Sequence, residues 1–328
     1  MSIHGHFWTI APHIQRRLLL SDLAPAKKWS CVVPDARYGS VRVHGKLSAP
    51  RALNAVPVKA ELLIVIHGLG GSSESGYTRY AANVANAAGL SCLRLNQRGA
   101  DLQGEDYYHA GLWQDLDAVL TDPEVARFDA IYLLGYSMGG QLCLHWAARA
   151  KHDASRVCAV ASVCAPLDLS RTAANLDSFA NSVYRAHVLA GLRKAYAAVA
   201  ARREVPVPVS VARCISRIRE WDDRITAPRH GFANAEHYYA EASAGPCLPS
   251  ITTPTLMVVA EADPMVPMST MSPALRNVAP CIVVKRLARG GHVGFPSRIS
   301  LGQSGSAGLE QQIVTWLKSA RGRPGSTD

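Results

Sequence analysis

The stretch from residue 130 to residue 150 constrains the fold more than any other part of the chain. Ala130–Gly135 is an apolar run of strand length, and Met138–Ala150 carries helix-forming residues. Only Gly135-Tyr136-Ser137-Met138-Gly139 links the two. A strand that passes straight into a helix needs a sharp backbone reversal, and glycines on both sides of the serine let the two elements approach. Such a turn exposes the serine hydroxyl and aims the next backbone N–H at the same point. The helix N-terminus favours negative charge there as well. In this setting Gly-x-Ser-x-Gly reads as a nucleophile elbow, with Ser137 as the nucleophile, rather than as a glycine-rich turn with an incidental serine.

The rest of the chain repeats the alternation of strand and helix. Residues 31–48 read as an antiparallel hairpin turning at Tyr38-Gly39-Ser40. Glu61–His67 is a continuous apolar run closed by Gly68, as in a strand buried on both faces. Helix Tyr77–Ala88, strand Leu90–Leu95 and a helical pattern over Leu112–Leu120 follow. Val157–Cys164, Thr255–Ala260 and Cys281–Leu287 read as strands, and Leu309–Leu317 as a closing helix. This order predicts a mostly parallel sheet with helices on both faces. One stretch departs from it. Residues 168–249 contain no core strand, but Tyr184–Arg203 is rich in Ala and Leu, and Val211–Trp221 reads as a second helix. Such an insertion reads as a helical cap over the sheet edge.

Length and composition agree with one α/β domain spanning 1–328. Apolar residues make up 48% and charged residues 18%, enough for a large core. The tail 321–328 is expected to fray. No apolar run reaches membrane-span length, and Leu18–Leu20 after Arg16-Arg17 is too short for a secretory core, so a cytoplasmic protein is expected. The eight cysteines form no Cys-x-x-Cys pair and read as reduced thiols. The net charge of +10 comes from dispersed Lys and Arg, without a nucleic-acid motif. It reads as a solvated surface, with loose contact to an anionic membrane as the minority reading.

A serine needs a base, and the base needs an acid to orient it. In this architecture the three follow the order Ser, Asp, His. Asp263 follows strand Thr255–Ala260, and His292 follows strand Cys281–Leu287 between Gly290-Gly291 and Gly294. Both fall at C-terminal strand ends, where open α/β sheets gather their ligands. Of 12 histidines, His292 is the candidate base; His145 and His152 read as structural or solvated. The rival acid, Asp168, reads as a turn or helix-cap carboxylate. His67-Gly68-Leu69-Gly70-Gly71 fits the loop that supplies a second oxyanion N–H, so Leu69 and Met138 are the expected backbone donors. The loop does not fit a nucleotide fingerprint, because Ser73 stands where the third glycine belongs. His67 reads as a loop brace.

Taken together these segments resemble the bacterial YheT-like branch of the α/β hydrolases, related to the eukaryotic ABHD1/ABHD3-type hydrolases. The resemblance covers most of the chain. It rests on His67–Ser73 and Tyr77, Asn96-Gln97-Arg98-Gly99, Leu134–Gly140, Trp221–Pro228 with Gly231-Phe232 and Tyr238-Tyr239, Asp263–Pro267 and Gly290–Phe295. It implies the α/β-hydrolase fold, a triad of Ser137, Asp263 and His292, and esterase or lipase-type activity on acyl esters. Arg98, Asp222 and Thr226 are family-like and read as structural braces. The family's N-terminal His-x-Gln-Thr signature appears as His6-Phe7-Trp8-Thr9, with Trp8 in place of Gln.

The expected chemistry is two-step acyl transfer on a small-molecule substrate, a lipophilic acyl ester of open chain length and head group, with no metal and no cofactor. Acyl transfer to an alcohol is the alternative. A non-catalytic ligand-binding protein on the same scaffold is a third reading, and it predicts a broken triad.

Overall fold

The computed structural model describes residues 4–10, 25–50, 60–149 and 156–321. Arg16-Arg17 with Leu18–Leu20, His152, and the tail beyond Arg321 lie outside the described residues.

Residues 4–10 form a helix, α1. The hairpin follows as β1 (Ala26–Asp35) and β2 (Gly39–Ser48). Its turn falls at 36–38, earlier than the expected Tyr38-Gly39-Ser40. The Asp35 carboxylate sets it by accepting the N–H groups of Arg37 at 3.0 Å and Tyr38 at 2.9 Å, while Gly39 takes the positive φ of +73°. The chain continues through β3 (Glu61–Ile66), α2 (Gly76–Ala87), β4 (Ser91–Leu95), α3 (Gln114–Thr121), α4 (Pro123–Ala126), β5 (Ala130–Tyr136), α5 (Met138–Arg149) and β6 (Val157–Val163). After β6 come α6 (Leu169–Leu176), α7 (Ser182–Ala200), α8 (Val209–Cys214), α9 (Ile218–Trp221), α10 (Ala227–His230) and α11 (Ala235–Ala242). The chain then returns to the sheet with β7 (Thr255–Ala260), α12 (Met268–Met271), β8 (Ile282–Leu287) and α13 (Leu309–Ala320).

Eight strands among the described residues make one sheet in the order β1-β2-β4-β3-β5-β6-β7-β8. The β1–β2 and β2–β4 pairs are antiparallel, and every pair from β4 to β8 is parallel. The alternation of side chains explains the layers. Leu62, Ile64 and Ile66 of β3 join a cluster with Leu116 of α3 and Leu142 and Trp146 of α5. Leu63 and Val65 point the other way, into a cluster with Ala81 and Ala85 of α2 and Ile313 and Trp316 of α13. A strand buried on both faces must read as a continuous apolar run, and ELLIVI does.

The insertion between β6 and β7 packs differently from one part of its expectation. Val211–Trp221 is two short helices, not one. Ile215 is extended at φ −61°, ψ 123°. The reason is local: the Asp177 carboxylate accepts the N–H groups of Ile218 at 2.7 Å and Arg219 at 3.1 Å, and so starts a new helix at α9. A π-turn over Asp222–Thr226 then joins α9 to α10. The insertion buries Leu169, Leu176, Val188, Trp221 and Tyr238 against Tyr107, Tyr108 and Met138 of the sheet side.

Charge as well as packing joins the parts. Arg98, after β4, holds Asp115 with two bonds of 2.6 and 2.7 Å and reaches Asp35 of β1 at 2.5 Å and Asp106 at 2.9 Å. Arg229, from α10, grips Asp106 with two bonds of 2.6 and 2.8 Å and Asp35 at 3.1 Å. All five side chains are almost wholly buried. Arg98 is the brace expected from the sequence. No helix among the described residues is long and apolar enough to cross a membrane. The eight cysteines are free thiols.

Candidate active site

Ser137 stands at the tip of the β5–α5 turn. Its φ is +52°, a left-handed value that costs a non-glycine residue strain and turns the side chain outward. The turn is held by the Ser137 N–H donating to Val163 O at 2.7 Å. Gly139 has no room for a side chain, since a Cβ there would lie 2.5 Å from Ile66 O and 2.6 Å from His67 O. The motif glycine therefore lets α5 start directly against the end of β3.

The two partners predicted from chain order meet the serine. His292, in the loop after β8, has Nε2 2.9 Å from Ser137 Oγ and Nδ1 2.8 Å from Asp263 Oδ2. Asp263, in the loop after β7, is 3% exposed. Its other oxygen accepts the N–H groups of Met265 at 2.8 Å and Val266 at 2.9 Å. An ionised carboxylate only accepts, so Nδ1 of His292 carries the proton and Nε2 is left to accept from the serine hydroxyl. Leu69 and Met138 line the same cavity as Ser137 and His292. The N–H groups beside Leu69 are taken: Gly68 donates to Tyr77 Oη at 3.0 Å and Gly70 to Tyr108 Oη at 2.8 Å. Among the described residues no hydrogen bond takes the Leu69 or Met138 N–H.

The other sequence candidates sit in supporting places. Asp168 caps α6, accepting the Arg171 N–H at 2.9 Å. His67 is fully buried. It donates from Nδ1 to Gly68 O at 2.8 Å and accepts the Gln97 N–H on Nε2 at 3.1 Å. Burial holds its pKa down at about 4, so it braces the loop as a neutral ring. Asp222 accepts from Tyr239 Oη and Thr226 Oγ1, each at 2.8 Å, and burial pushes its pKa up to about 7. His145 is buried on α5, as the structural reading had it. Cys164, Asp263 and His292 bring three donor atoms within 4.8 Å of one another. Burial keeps the Cys164 thiol well above its ordinary pKa, and Asp263 and His292 already engage each other. That set is a hydrogen-bonded group rather than a set of free metal ligands.

Above the serine lies a cavity of about 1060 Å³. Its floor carries Ser137, His292, Leu69 and Met138, and its walls carry Leu169, Leu176, Val188, Leu192 and Trp221 of the insertion. Asp222 and Thr226 also reach this wall.

Sequence reasoning missed several contributors. Tyr108 and the Arg229–Asp106 pair have no motif to announce them, since each matters only through a partner distant in sequence. Thr9 lay inside the His6–Thr9 segment and was visible as a signature without a role. In the structure its hydroxyl meets the backbone of His292.

The fold and the serine–histidine–aspartate arrangement define an α/β hydrolase, and comparison with known proteins agrees. The family described as alpha/beta hydrolase fold matches residues 61–298, and the chain belongs to that family. It is 32% identical to YheT of Escherichia coli, a protein that carries an esterase name, over 78% of this chain and 76% of that protein. It is 25% identical to a Saccharomyces cerevisiae protein named monoacylglycerol lipase and 24% identical to human phospholipase ABHD3. Each of those matches covers 71% of this chain, but the chain spans only 54% and 58% of those two longer relatives. Two solved structures share the fold. The Pyrococcus furiosus esterase Pf2001 matches with a TM-score of 0.52 at 14% identity, over 84% of this chain and 85% of that one. The 2,6-dihydroxy-pseudo-oxynicotine hydrolase matches with a TM-score of 0.56 at 18% identity, over 91% and 68%.

Proposed function

We propose that this protein is a serine carboxylic ester hydrolase acting on lipophilic acyl esters through a covalent acyl-enzyme. One observation carries the reading: the hydrogen-bonded series Ser137–His292–Asp263 opens onto a large cavity with apolar walls. In the proposed mechanism Nε2 of His292 takes the Ser137 proton as Oγ attacks the ester carbonyl. The Leu69 and Met138 N–H groups receive the oxyanion. The imidazolium, steadied by Asp263, gives its proton to the departing alcohol. His292 then draws a proton from water as it attacks the acyl carbonyl, and the second tetrahedral intermediate collapses with the imidazolium returning that proton to Ser137 Oγ, which frees Ser137 and the acid.

The helical insertion, residues 168–249, acts as a cap that encloses the acyl chain. Its aliphatic wall residues favour esters with long apolar chains over peptides, whose polar backbone would lose hydrogen bonds there. The relatives named as esterase, monoacylglycerol lipase and phospholipase support the same substrate class.

The decisive experiment replaces Ser137 with Ala. Hydrolysis of p-nitrophenyl butyrate and labelling by a fluorophosphonate should both disappear. Undiminished turnover in that variant would overturn the proposal.

A further inference from the structure

The N-terminal helix α1 touches three parts of the site at once. Thr9, 7% exposed, accepts the His292 N–H on Oγ1 at 2.9 Å and donates to Gly5 O at 2.8 Å. Gly5 lies so close to the loop before Asp263 that a Cβ there would stand 1.8 Å from Ala262 O. Gly291 is equally confined, because its Cβ would stand 2.2 Å from Gly5 O and 2.5 Å from Thr9 Oγ1. On the side facing the insertion, His6 Nδ1 is 2.7 Å from Tyr184 Oη of α7, and the two rings stack with centroids 5.6 Å apart. One short helix is thus seated against the acid loop, the base loop and the insertion.

The base loop needs such a support. Residues 290–294 include three glycines, and Gly290 and Val293 both have positive φ, at +158° and +52°. Within the loop, Gly291 N–H donates to Gly294 O at 2.8 Å. The His292 N–H itself is bonded to Thr9, 283 positions away in sequence. A shift of the His292 backbone moves the imidazole away from Ser137, and displacement of a reacting group by about 1 Å costs on the order of a hundredfold in rate.

We infer that Thr9 is a positioning residue for His292, its hydroxyl fixing the backbone of the base. This rests on the reading of Ser137 and His292 as nucleophile and base. It gives a role to the His6–Thr9 segment. The competing role is purely structural: α1 would then tie down the chain's start and leave the chemistry alone.

Thr9→Val separates the two, since valine has nearly the same shape and cannot accept the bond. Turnover of p-nitrophenyl butyrate is measured per active site, counted by fluorophosphonate titration, so that unfolded protein does not enter. The expected result is a fall in kcat of tenfold to a hundredfold with KM changed less than twofold. Thr9→Ser keeps the hydroxyl and should recover most of the rate. A kcat within twofold of the parent in Thr9→Val overturns the inference, as does a failure of Thr9→Ser to recover more rate than Thr9→Val. Should Thr9→Val not fold, Thr9→Ala carries the same comparison. The Ser137→Ala variant distinguishes the two levels: activity surviving there removes the underlying reading, whereas loss there beside a normal Thr9→Val removes only the role of Thr9.

Discussion

Asp263 turns one carboxylate oxygen to Nδ1 of His292 at 2.8 Å and commits the other to two backbone N–H groups. The acid is therefore held in a single orientation, and that orientation dictates which imidazole nitrogen bears the proton.

Asp263→Asn tests this relationship. The Met265 and Val266 N–H groups demand an acceptor on their side, so the new amide nitrogen is forced toward His292. It would donate where Asp263 accepted and push the proton to Nε2, the nitrogen that must accept from Ser137. We expect kcat for p-nitrophenyl butyrate to fall about 10³- to 10⁴-fold, with a fold unchanged by circular dichroism. A loss of less than tenfold removes Asp263 from its assigned role.

Ser137 carries backbone strain at the elbow. Glycine adopts a φ of +52° freely, whereas alanine does not. Ser137→Gly should therefore be more stable than Ser137→Ala by about 1 kcal/mol in urea unfolding, and both should be inactive. Equal midpoints for the two variants would show that the elbow stores no such strain.

Leu176 lies in the insertion and lines the cavity. Leu176→Trp would fill part of that volume. The ratio of kcat/KM for the laurate ester to that for the butyrate ester should drop at least about tenfold, because a long chain loses its apolar contacts and a short one does not. A ratio unchanged by the substitution would place the acyl chain elsewhere.

Arg229 joins the insertion to the sheet side through Asp106 and Asp35. Arg229→Met leaves the buried carboxylate of Asp106 with Arg98 alone. Removing one partner from a buried ionic group commonly costs about 3–5 kcal/mol, and urea unfolding should show a loss of that order. A loss under about 1 kcal/mol would mean that Arg98 compensates by itself.

Three buried histidines and the half-buried His230 make the fold sensitive to acid. Burial lowers the pKa of His67 and His145 to about 4, that of His109 to about 3, and that of His230 well below its ordinary value. The unfolded chain takes up these protons near pH 6.5, and the folded protein resists until much lower pH. Stability is therefore present above about pH 7 and is lost as pH falls from 6.5 towards 4. Asp222, raised to about 7, acts in the opposite sense across this window, and Asp115, raised by burial, acts in the same direction as Asp222, but they are two groups against four. Urea midpoints measured at pH 7.5, 6.0 and 5.0 should decline in that order, and a flat or rising series would contradict the assignment of these rings as neutral.

Much of the fold was legible from local pattern. The strands of the sheet follow from apolar runs of strand length, and the elbow from its two glycines and its strand-to-helix setting. Boundaries moved where a side chain captured the backbone. Asp35 drew the hairpin turn forward, and Asp177 split one expected helix into α8 and α9. Neither capture is visible in hydrophobic periodicity, because a single carboxylate has no period.

The sequence by itself determined the architecture and named Ser137, Asp263 and His292, since turn chemistry, apolar periodicity and chain order are properties of neighbouring residues. Only the tertiary structure decided how those three are supported. Thr9 meets His292 across almost the whole chain, and Arg229 meets Asp106 across the boundary between insertion and sheet. Each contact forms only when separately folded elements dock, and the energy of docking leaves no local trace in the order of residues.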